Sequence, residues 1–198
     1  VCIRLYAETD FENREPFTDP EIKRSALAGV ILRMADLRLP PLGEFPLPDP
    51  PSPRLVNEGY KTLREISALD RAKKLTDIGR SLARLPIDPR LGRMLLEAKH
   101  EQALPELLVM VAGLSIMDPR ERPQEFATQA DQAHAQWKNA DSDFLSMLSL
   151  WRSTLEFKEK RNLKRNQLRK WCSKNYINFL RTVEWHNLTQ DLSAALQD

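Results

Sequence analysis

Apolar residues recur along most of this chain at three- and four-residue steps, the spacing that collects side chains on one face of an α-helix. Leu27, Val30, Ile31, Met34 and Leu37 form one such stripe, with Lys23, Arg24 and Arg33 on the opposite side. Ahead of it, Thr18-Asp19-Pro20-Glu21 has the form of a capping box, so a helix is predicted from there to about Leu37. Val56, Tyr60, Leu63 and Ile66 mark a second helix. Residues 67–76 have room only for a short hairpin around the polar tip Asp70-Arg71-Ala72-Lys73-Lys74. Thr76 then caps a short helix that turns Ile78, Leu82 and Leu85 inward. Two helices, a small hairpin and a third helix in this order predict a winged-helix-like unit.

Prolines punctuate the pattern. Residues 39–53 hold seven of the fourteen, which excludes a helix or a central strand and predicts a stiff, extended connector. Pro86-Ile87-Asp88-Pro89 ends one helix and starts another, and marks the predicted domain boundary. Beyond it the chain reads as wholly helical. Leu91, Met94, Leu95 and Ala98 form one stripe and Leu104, Leu107, Leu108, Val111 and Leu114 a second, separated by polar residues 99–102, as in two antiparallel helices. Asp118-Pro119-Arg120-Glu121-Arg122-Pro123 is a polar, proline-bounded loop. Further helices are predicted over residues 126–138, 143–152, 154–169 and 170–186, with a last one near the C-terminus. The first six residues alternate as a strand does, with nothing before them to pair with, and read as the last strand of something that precedes. The predicted fold class is mainly α, a winged-helix domain with a small β-hairpin followed by an α-helical bundle.

Composition narrows the class. A chain of 198 residues with 41% hydrophobic and 29% charged residues fits one or two domains with a real core. No apolar run approaches the roughly 18 to 20 residues needed to span a bilayer. Val1-Cys2-Ile3-Arg4-Leu5 lacks the sections of a signal peptide, so a cytoplasmic protein without membrane contact is expected. Cys2 and Cys172 stand 170 positions apart and are expected to be reduced and packed. The net charge is only +2, but residues 151–181 carry ten basic residues against Glu156 and Glu159. That segment is +8 and the remainder −6. Such a block is the footprint of a polyanion partner, or else a solvated helix face.

Several chemistries are excluded. There is no phosphate loop, and six glycines in the whole chain build no glycine-rich cradle. His100, His134 and His186 are isolated from each other and from cysteine at metal-ligand spacing. No Gly-x-Ser-x-Gly elbow occurs, and Asp141 and Asp143 read as helix caps. No catalytic residue and no metal site is nominated. Trp151, Phe157, Trp171, Tyr176, Phe179 and Trp185 do interleave with the cations, a combination that holds single-stranded nucleic acid. Because Leu168, Trp171, Cys172, Tyr176, Phe179, Leu180 and Val183 share a helical stripe, most of these aromatics are assigned to the core. Lys170, Lys174 and Arg181 lie off the stripe beside Asn175 and Asn178, and this polar side is the candidate for backbone contacts.

The motifs, taken in order, resemble the DEAH-box ATP-dependent RNA helicases, bacterial HrpA type. Cys2-Ile3-Arg4-Leu5-Tyr6, Asp10-Phe11 and Phe17-Thr18-Asp19-Pro20-Glu21-Ile22 are similar to the end of the second motor domain and its run into the winged helix. Leu75-Thr76-Asp77-Ile78-Gly79-Arg80 and Leu85-Pro86-Ile87-Asp88-Pro89-Arg90-Leu91 resemble the wing and the junction to the helical ratchet, or HA2-like, domain. Ser115-Ile116-Met117-Asp118-Pro119-Arg120-Glu121-Arg122-Pro123, Ser142-Asp143-Phe144-Leu145 and Trp171-Cys172-Ser173-Lys174-Asn175-Tyr176-Ile177-Asn178 look like the ratchet's signatures. Many members have Gly-Asp-His where this chain has Ser142-Asp143-Phe144, which suits the bacterial branch and leaves no histidine there.

The resemblance implies a division into residues 1–17 (end of the second RecA-like motor domain and linker), 18–87 (winged helix) and 88–198 (ratchet). It implies an accessory region of a 3′ to 5′ RNA helicase that closes the single-stranded RNA channel and couples motor movement to translocation. The implied partners are single-stranded RNA and the motor domains of the same polypeptide, in a monomer. ATP and Mg2+ would be bound by the parent helicase and not by this fragment, which would be inactive alone. Lys170, Lys174, Asn175, Asn178 and Arg181 would touch phosphates or sugars, with Arg120 and Arg122 as second candidates or, equally, as salt bridges within the domain. The competing readings are a freestanding winged-helix DNA-binding regulator and a protein-interaction scaffold. The helix expected over residues 54–66 sets Arg54, Lys61 and Arg64 against Glu58 and Glu65, a thin charge for a groove reader.

Overall fold

The computed structural model describes residues 3, 5–14, 18, 20–24, 26–159 and 165–197. Among them are eleven α-helices: α1 Glu8–Glu12, α2 Glu21–Arg24, α3 Ala28–Asp36, α4 Pro53–Glu65, α5 Asp77–Ala83, α6 Pro89–His100, α7 Leu104–Ser115, α8 Ala127–His134, α9 Asp143–Glu159, α10 Arg165–Lys174 and α11 Phe179–Ala195. Short 3-10 turns, Gln124–Phe126 and Ala135–Trp137, flank α8. The only β pairing among the described residues is two isolated antiparallel bridges, Leu69 with Leu75 and Arg120 with Ile177. The first closes the small hairpin expected between α4 and α5.

Starts and stops follow side-chain chemistry. Ser52, Thr76, Asp88 and Asn178 cap α4, α5, α6 and α11 by accepting the backbone N–H of Leu55, Gly79, Arg90 and Arg181 at 3.4, 2.9, 2.8 and 3.0 Å. Pro53 and Pro89 occupy the first helical position, where no N–H is needed. The ends of α3, α4, α6 and α10 share one device. Leu39, Ala68, Ala103 and Ile177 donate their N–H back to Met34, Leu63, Ala98 and Cys172, at 2.9, 2.8, 3.0 and 2.9 Å. This is the Schellman closure, and it throws the preceding residue into the left-handed region. Glycine usually fills that place; here it is Arg38, Ser67, Gln102 and Tyr176, with φ of 56°, 60°, 57° and 55°.

The first unit packs α3 on α4 and α5, and the second gathers α6, α9 and α11 around α7. Three glycines mark where backbones nearly touch. A β-carbon on Gly59 would stand 3.3 Å from the backbone of Leu27 and of Ala28, and one on Gly79 would stand 2.1 Å from the Ala68 carbonyl oxygen. At Gly92, on α6, it would meet Leu82 and Leu85 of the preceding unit at 2.9 and 3.2 Å. A single hydrophobic core runs through both units.

The structure departs from the sequence reading at several places. The described part of the segment from residue 18 to 37 holds two helices, α2 and α3, and α3 begins where its backbone crosses Gly59. Ala28, Ile31 and Leu32 are buried there, while Val30 and Leu37 are exposed. Met94 and Leu114 are likewise exposed. α7 is enclosed by neighbours on several sides, so Val109, Ala112 and Gly113 are buried and the pattern is not one-sided. The helix expected over 143–152 and the start of the one expected over 154–169 are continuous as α9; residues 160–164 lie outside the described residues, and the break expected at 169–170 falls inside α10, which ends at Lys174. The last helix is continuous with the one before it, as α11. The proline-rich connector does not run straight: Glu44 and Phe45 donate their N–H to the Pro41 carbonyl, at 2.8 and 3.1 Å, and Leu42 is buried in the turn. Helix α1 is an element the sequence pattern does not announce; Arg14 pairs with Asp10 one turn back and lies over the Tyr6 ring. Of the expected strand, Val1, Cys2 and Arg4 lie outside the described residues, and Ile3, Leu5 and Tyr6 are exposed and in no strand. Phe17 and Asp19 of the capping segment are also outside them.

Two opposite substitutions test these backbone assignments. Gly79→Ala drives a methyl group into the Ala68 carbonyl and is expected to cost about 3 kcal/mol or more. Gln102→Gly relieves an exposed left-handed residue and is expected to gain about 0.5–1 kcal/mol after the added freedom of the unfolded chain is counted. Urea midpoints measure both.

Candidate nucleic-acid interface

The loop between α7 and α8 and the turn between α10 and α11 are tied into one knot. Arg120 and Ile177 form the antiparallel bridge. Glu121 donates its N–H to the Tyr176 carbonyl at 2.8 Å, and Asn178 donates its N–H to the Pro119 carbonyl at 2.7 Å. The Asn178 side chain acts at both ends: its Nδ2 donates to Glu121 at 2.7 Å while its Oδ1 caps α11 through the Arg181 N–H. The Arg181 guanidinium donates to the Asp118 carbonyl at 2.9 Å, closing the loop onto the first turn of α11. His134 Nε2 lies 3.1 Å from the Tyr176 carbonyl. Asn178 and Glu121 are 57 positions apart in sequence, so their bond and its neighbours are long-range constraints and not a local turn.

The seven sequence-nominated residues differ in what they have free. Asn178 and Arg181 are spent on the knot. Arg120 is held by Asp118, which accepts its Nε and Nη2 at 3.1 and 2.7 Å. Burial alone would raise the Asp118 carboxyl, but the hydrogen bonds and charge of Arg120 outweigh it and the pKa is lowered. The hydrogen bond that Arg120 donates to Asp118 raises the pKa of Arg120 in return. Arg122 makes a two-pronged pair with Asp131 at 2.8 and 2.9 Å on the surface. Asn175 turns inward, donating to the Trp171 carbonyl at 2.8 Å and accepting from Gln136 at 3.3 Å. Lys170 and Lys174 are exposed, one helical turn apart on α10, and neither is ion-paired among the described residues. Arg152 and Arg169 are exposed as well, and Arg169 lies over the Phe179 ring; Lys160, Arg161 and Lys164 of the basic block lie outside the described residues.

Beneath the face, Trp151, Phe179 and Trp185 are buried in the core, Trp171 and Tyr176 are half-buried, and the Phe157 side chain lies outside the described residues. Trp151 and Trp185 pack at 5.0 Å, His186 stacks on Trp151 at 4.2 Å, and Thr154 meets His186 Nε2 at 3.0 Å. Trp185 donates its indole N–H to the Val109 carbonyl at 2.8 Å. Cys172 is buried and its thiol is pushed up to about 11 by desolvation, against the weak bond to Thr182; Cys2 lies outside the described residues. Leu180, counted on the core stripe, is exposed instead. An open cleft of about 880 Å³ adjoins the knot, lined among others by Leu114, Arg120, His134, Lys138, Asp143 and Phe144. No set of three or more histidine, cysteine or carboxylate residues gathers at metal-binding distance among the described residues, and no described helix is long and apolar enough to cross a membrane.

Sequence reasoning named the two arms of the knot but missed Asp118, Glu121 and Tyr176 as its other members. The signal was present for the first, since an Asp two residues before an N–H it accepts is a recurrent loop pattern, here Asp118 to Arg120 at 2.8 Å. Asn178 immediately before an apolar helix start was likewise a cap in plain view.

Asn178→Ala is expected to cost about 1–2 kcal/mol, the loss of a cap and a hydrogen bond together, whereas Lys174→Ala stays within about 0.5 kcal/mol; chemical denaturation separates them. Asp118 gives a pH signature. Its folded pKa is lowered, so its contribution is present above the unfolded value near 4 and is lost as pH falls through the folded one. Asp118→Asn is therefore expected to flatten the loss of stability below about pH 4. Urea midpoints across that range measure it.

Comparison with known proteins gives the fold its family. Residues 88–175 match the helicase associated domain (HA2), ratchet-like, and residues 60–87 match the helicase associated domain (HA2), winged-helix. The whole chain is similar to the ATP-dependent RNA helicase HrpA homolog of Haemophilus influenzae, at 40% identity, and to the ATP-dependent RNA helicase HrpA of Escherichia coli, at 39%. It is 31% identical to the probable ATP-dependent RNA helicase DHX34 of Homo sapiens. In each case all of this chain is covered, but it spans only 16%, 16% and 17% of those relatives' lengths. With both matches falling in order on the small hairpin unit and the helical bundle, the chain belongs to the helicase-associated HA2 family, winged helix first and ratchet second.

Proposed function

We propose that this chain is the accessory C-terminal region of an ATP-dependent 3′ to 5′ RNA helicase, closing a single-stranded RNA channel and helping to couple motor movement to translocation. The observation that carries the reading is the similarity of the entire chain to RNA helicases at 39–40% identity. On this reading residues 1–17 end the second motor domain, 18–87 form the winged helix and 88–198 the ratchet; the Asp88 cap and Pro89 at the start of α6 support a seam there. The motor domains of the same polypeptide bind ATP and Mg2+, the protein is cytoplasmic and monomeric, and this region supplies no catalytic group.

Lys170 and Lys174 are the leading RNA contacts. Like charges one turn apart repel by about 0.2–0.5 kcal/mol on a helix, and a phosphate bridging them turns that cost into attraction. Arg120, Arg122, Asn175, Asn178 and Arg181 are second in line, since a phosphate would have to share or displace their present partners. The groove-reading alternative loses ground on α4, where Arg54 and Lys61 are paired with Glu58 and Glu65 at 3.1 and 3.8 Å.

The chain is expected to prefer single-stranded RNA to duplex DNA, with affinity falling steeply in salt. Lys170→Glu with Lys174→Glu should weaken RNA binding and lower the slope of log affinity against log salt by roughly 0.7 for each phosphate no longer neutralised. Fluorescence anisotropy over a salt series reads both; unchanged affinity in a folded variant would remove this face from the track.

A further inference from the structure

Tyr176 occupies a place where a large side chain is disfavoured. It is the left-handed residue of the Schellman closure after α10, with φ 55°, a conformation that costs an L-residue roughly 1–2 kcal/mol and that glycine adopts freely. The surroundings over-determine it. Its carbonyl accepts the Glu121 N–H at 2.8 Å and lies 3.1 Å from His134 Nε2, and the next residue is bridged to Arg120. The result is a half-buried ring presented at the surface, 6.3 Å from the ring of Phe126 and tilted to it by 34°. Phe126, at the end of the loop opposite, is 46% exposed. Unlike Trp151 and Trp185, which are buried, this pair is partly exposed. Lys174, a cation with no ion pair among the described residues, is two residues from Tyr176, and Lys170 stands one turn behind it.

We propose that Tyr176 and Phe126 form a base-stacking platform for the single-stranded RNA whose phosphates run along Lys170 and Lys174. This deepens the function proposed above and rests on it. A partly exposed aromatic pair on the turn that follows a helix bearing lysines unpaired among the described residues suits a strand held without reading its sequence: cations take the backbone, and any base offers a face to a ring. The cost of placing tyrosine in a glycine position is met by the knot, which fixes the backbone from which the ring projects. The platform contributes affinity with little sequence preference, as a strand-gripping surface requires.

The test compares two probes on three proteins. A uridylate RNA of roughly 12 nucleotides, within the span of a single-strand site, is set against the same RNA with abasic riboses at its central positions. The chain, Tyr176→Leu and Phe126→Leu are titrated with each by anisotropy. Leucine keeps the bulk and the left-handed backbone cost while removing the π-face, and Phe126→Leu, on the more exposed ring, serves where Tyr176→Leu disturbs the knot. The expected result is that the chain binds the base-bearing RNA about tenfold tighter than the abasic one, and that each leucine variant shrinks this ratio while leaving abasic affinity unchanged. A ratio that survives in both leucine variants overturns the platform and leaves the phosphate track standing. Equal weakening toward both probes also overturns it, because the rings would then be acting only through the fold. A chain with no affinity for either RNA overturns the RNA-binding reading itself.

Discussion

The packing of Trp185 against Gly113 sets the position of almost everything else in the helical bundle. A β-carbon at Gly113 would lie 2.7 Å from the sulfur of Met147 and 3.1 Å from the indole, so α7 meets α9 and α11 at a point with no room for a side chain. The indole N–H fixes the depth of that contact by donating to Val109 one turn earlier on α7. A buried donor left without its acceptor costs about 1–3 kcal/mol, so register and polarity are satisfied by the same geometry. With α11 seated in this way, its first residue falls where Asn178 can cap it and reach Glu121. The knot is a downstream result of the tryptophan's fit.

The knot in turn sorts the polar residues by function more sharply than charge does. Arg120, Arg122 and Arg181 carry full charges, yet each is engaged by a carboxylate or a carbonyl in the fold. Guanidinium groups suit this work because their planar forks lock to carboxylates and carbonyls with little freedom left over. The flexible ammonium groups of Lys170 and Lys174 are left in water, together with the exposed Arg152 and Arg169. Charge alone does not distinguish the arginines that frame the fold from the cations that remain available on its surface.

Much of this was legible in the sequence because local chemistry decided it. Thr76, Asp88 and Pro89 announced their helix boundaries, and the hairpin between α4 and α5 was the only structure its short polar span allowed. What escaped depended on neighbours. Val30 and Leu37 share a helical stripe with Ile31, but α4 and α5 cover only one side of it. α7 is enclosed on several sides, and a surrounded helix loses the periodicity that would reveal its inward face. Tyr176 falls on the stripe by spacing, and nothing local says that a tyrosine will take a glycine's conformation; the bonds that hold it there come from His134, 42 residues away, and from the still more distant Glu121.

The seam at Gly92 has a mechanical side. Leu82 and Leu85 press into the space where its side chain would be, and the five residues from Leu85 to Pro89 include two prolines with fixed φ. A close-packed interior is nearly incompressible. Between the hairpin and the bundle there is thus no slack segment to act as a spring. The contact is direct: α6 meets Leu82 and Leu85 with no room for even a methyl group, and α6 in turn packs along α7, which leads into the loop at Asp118.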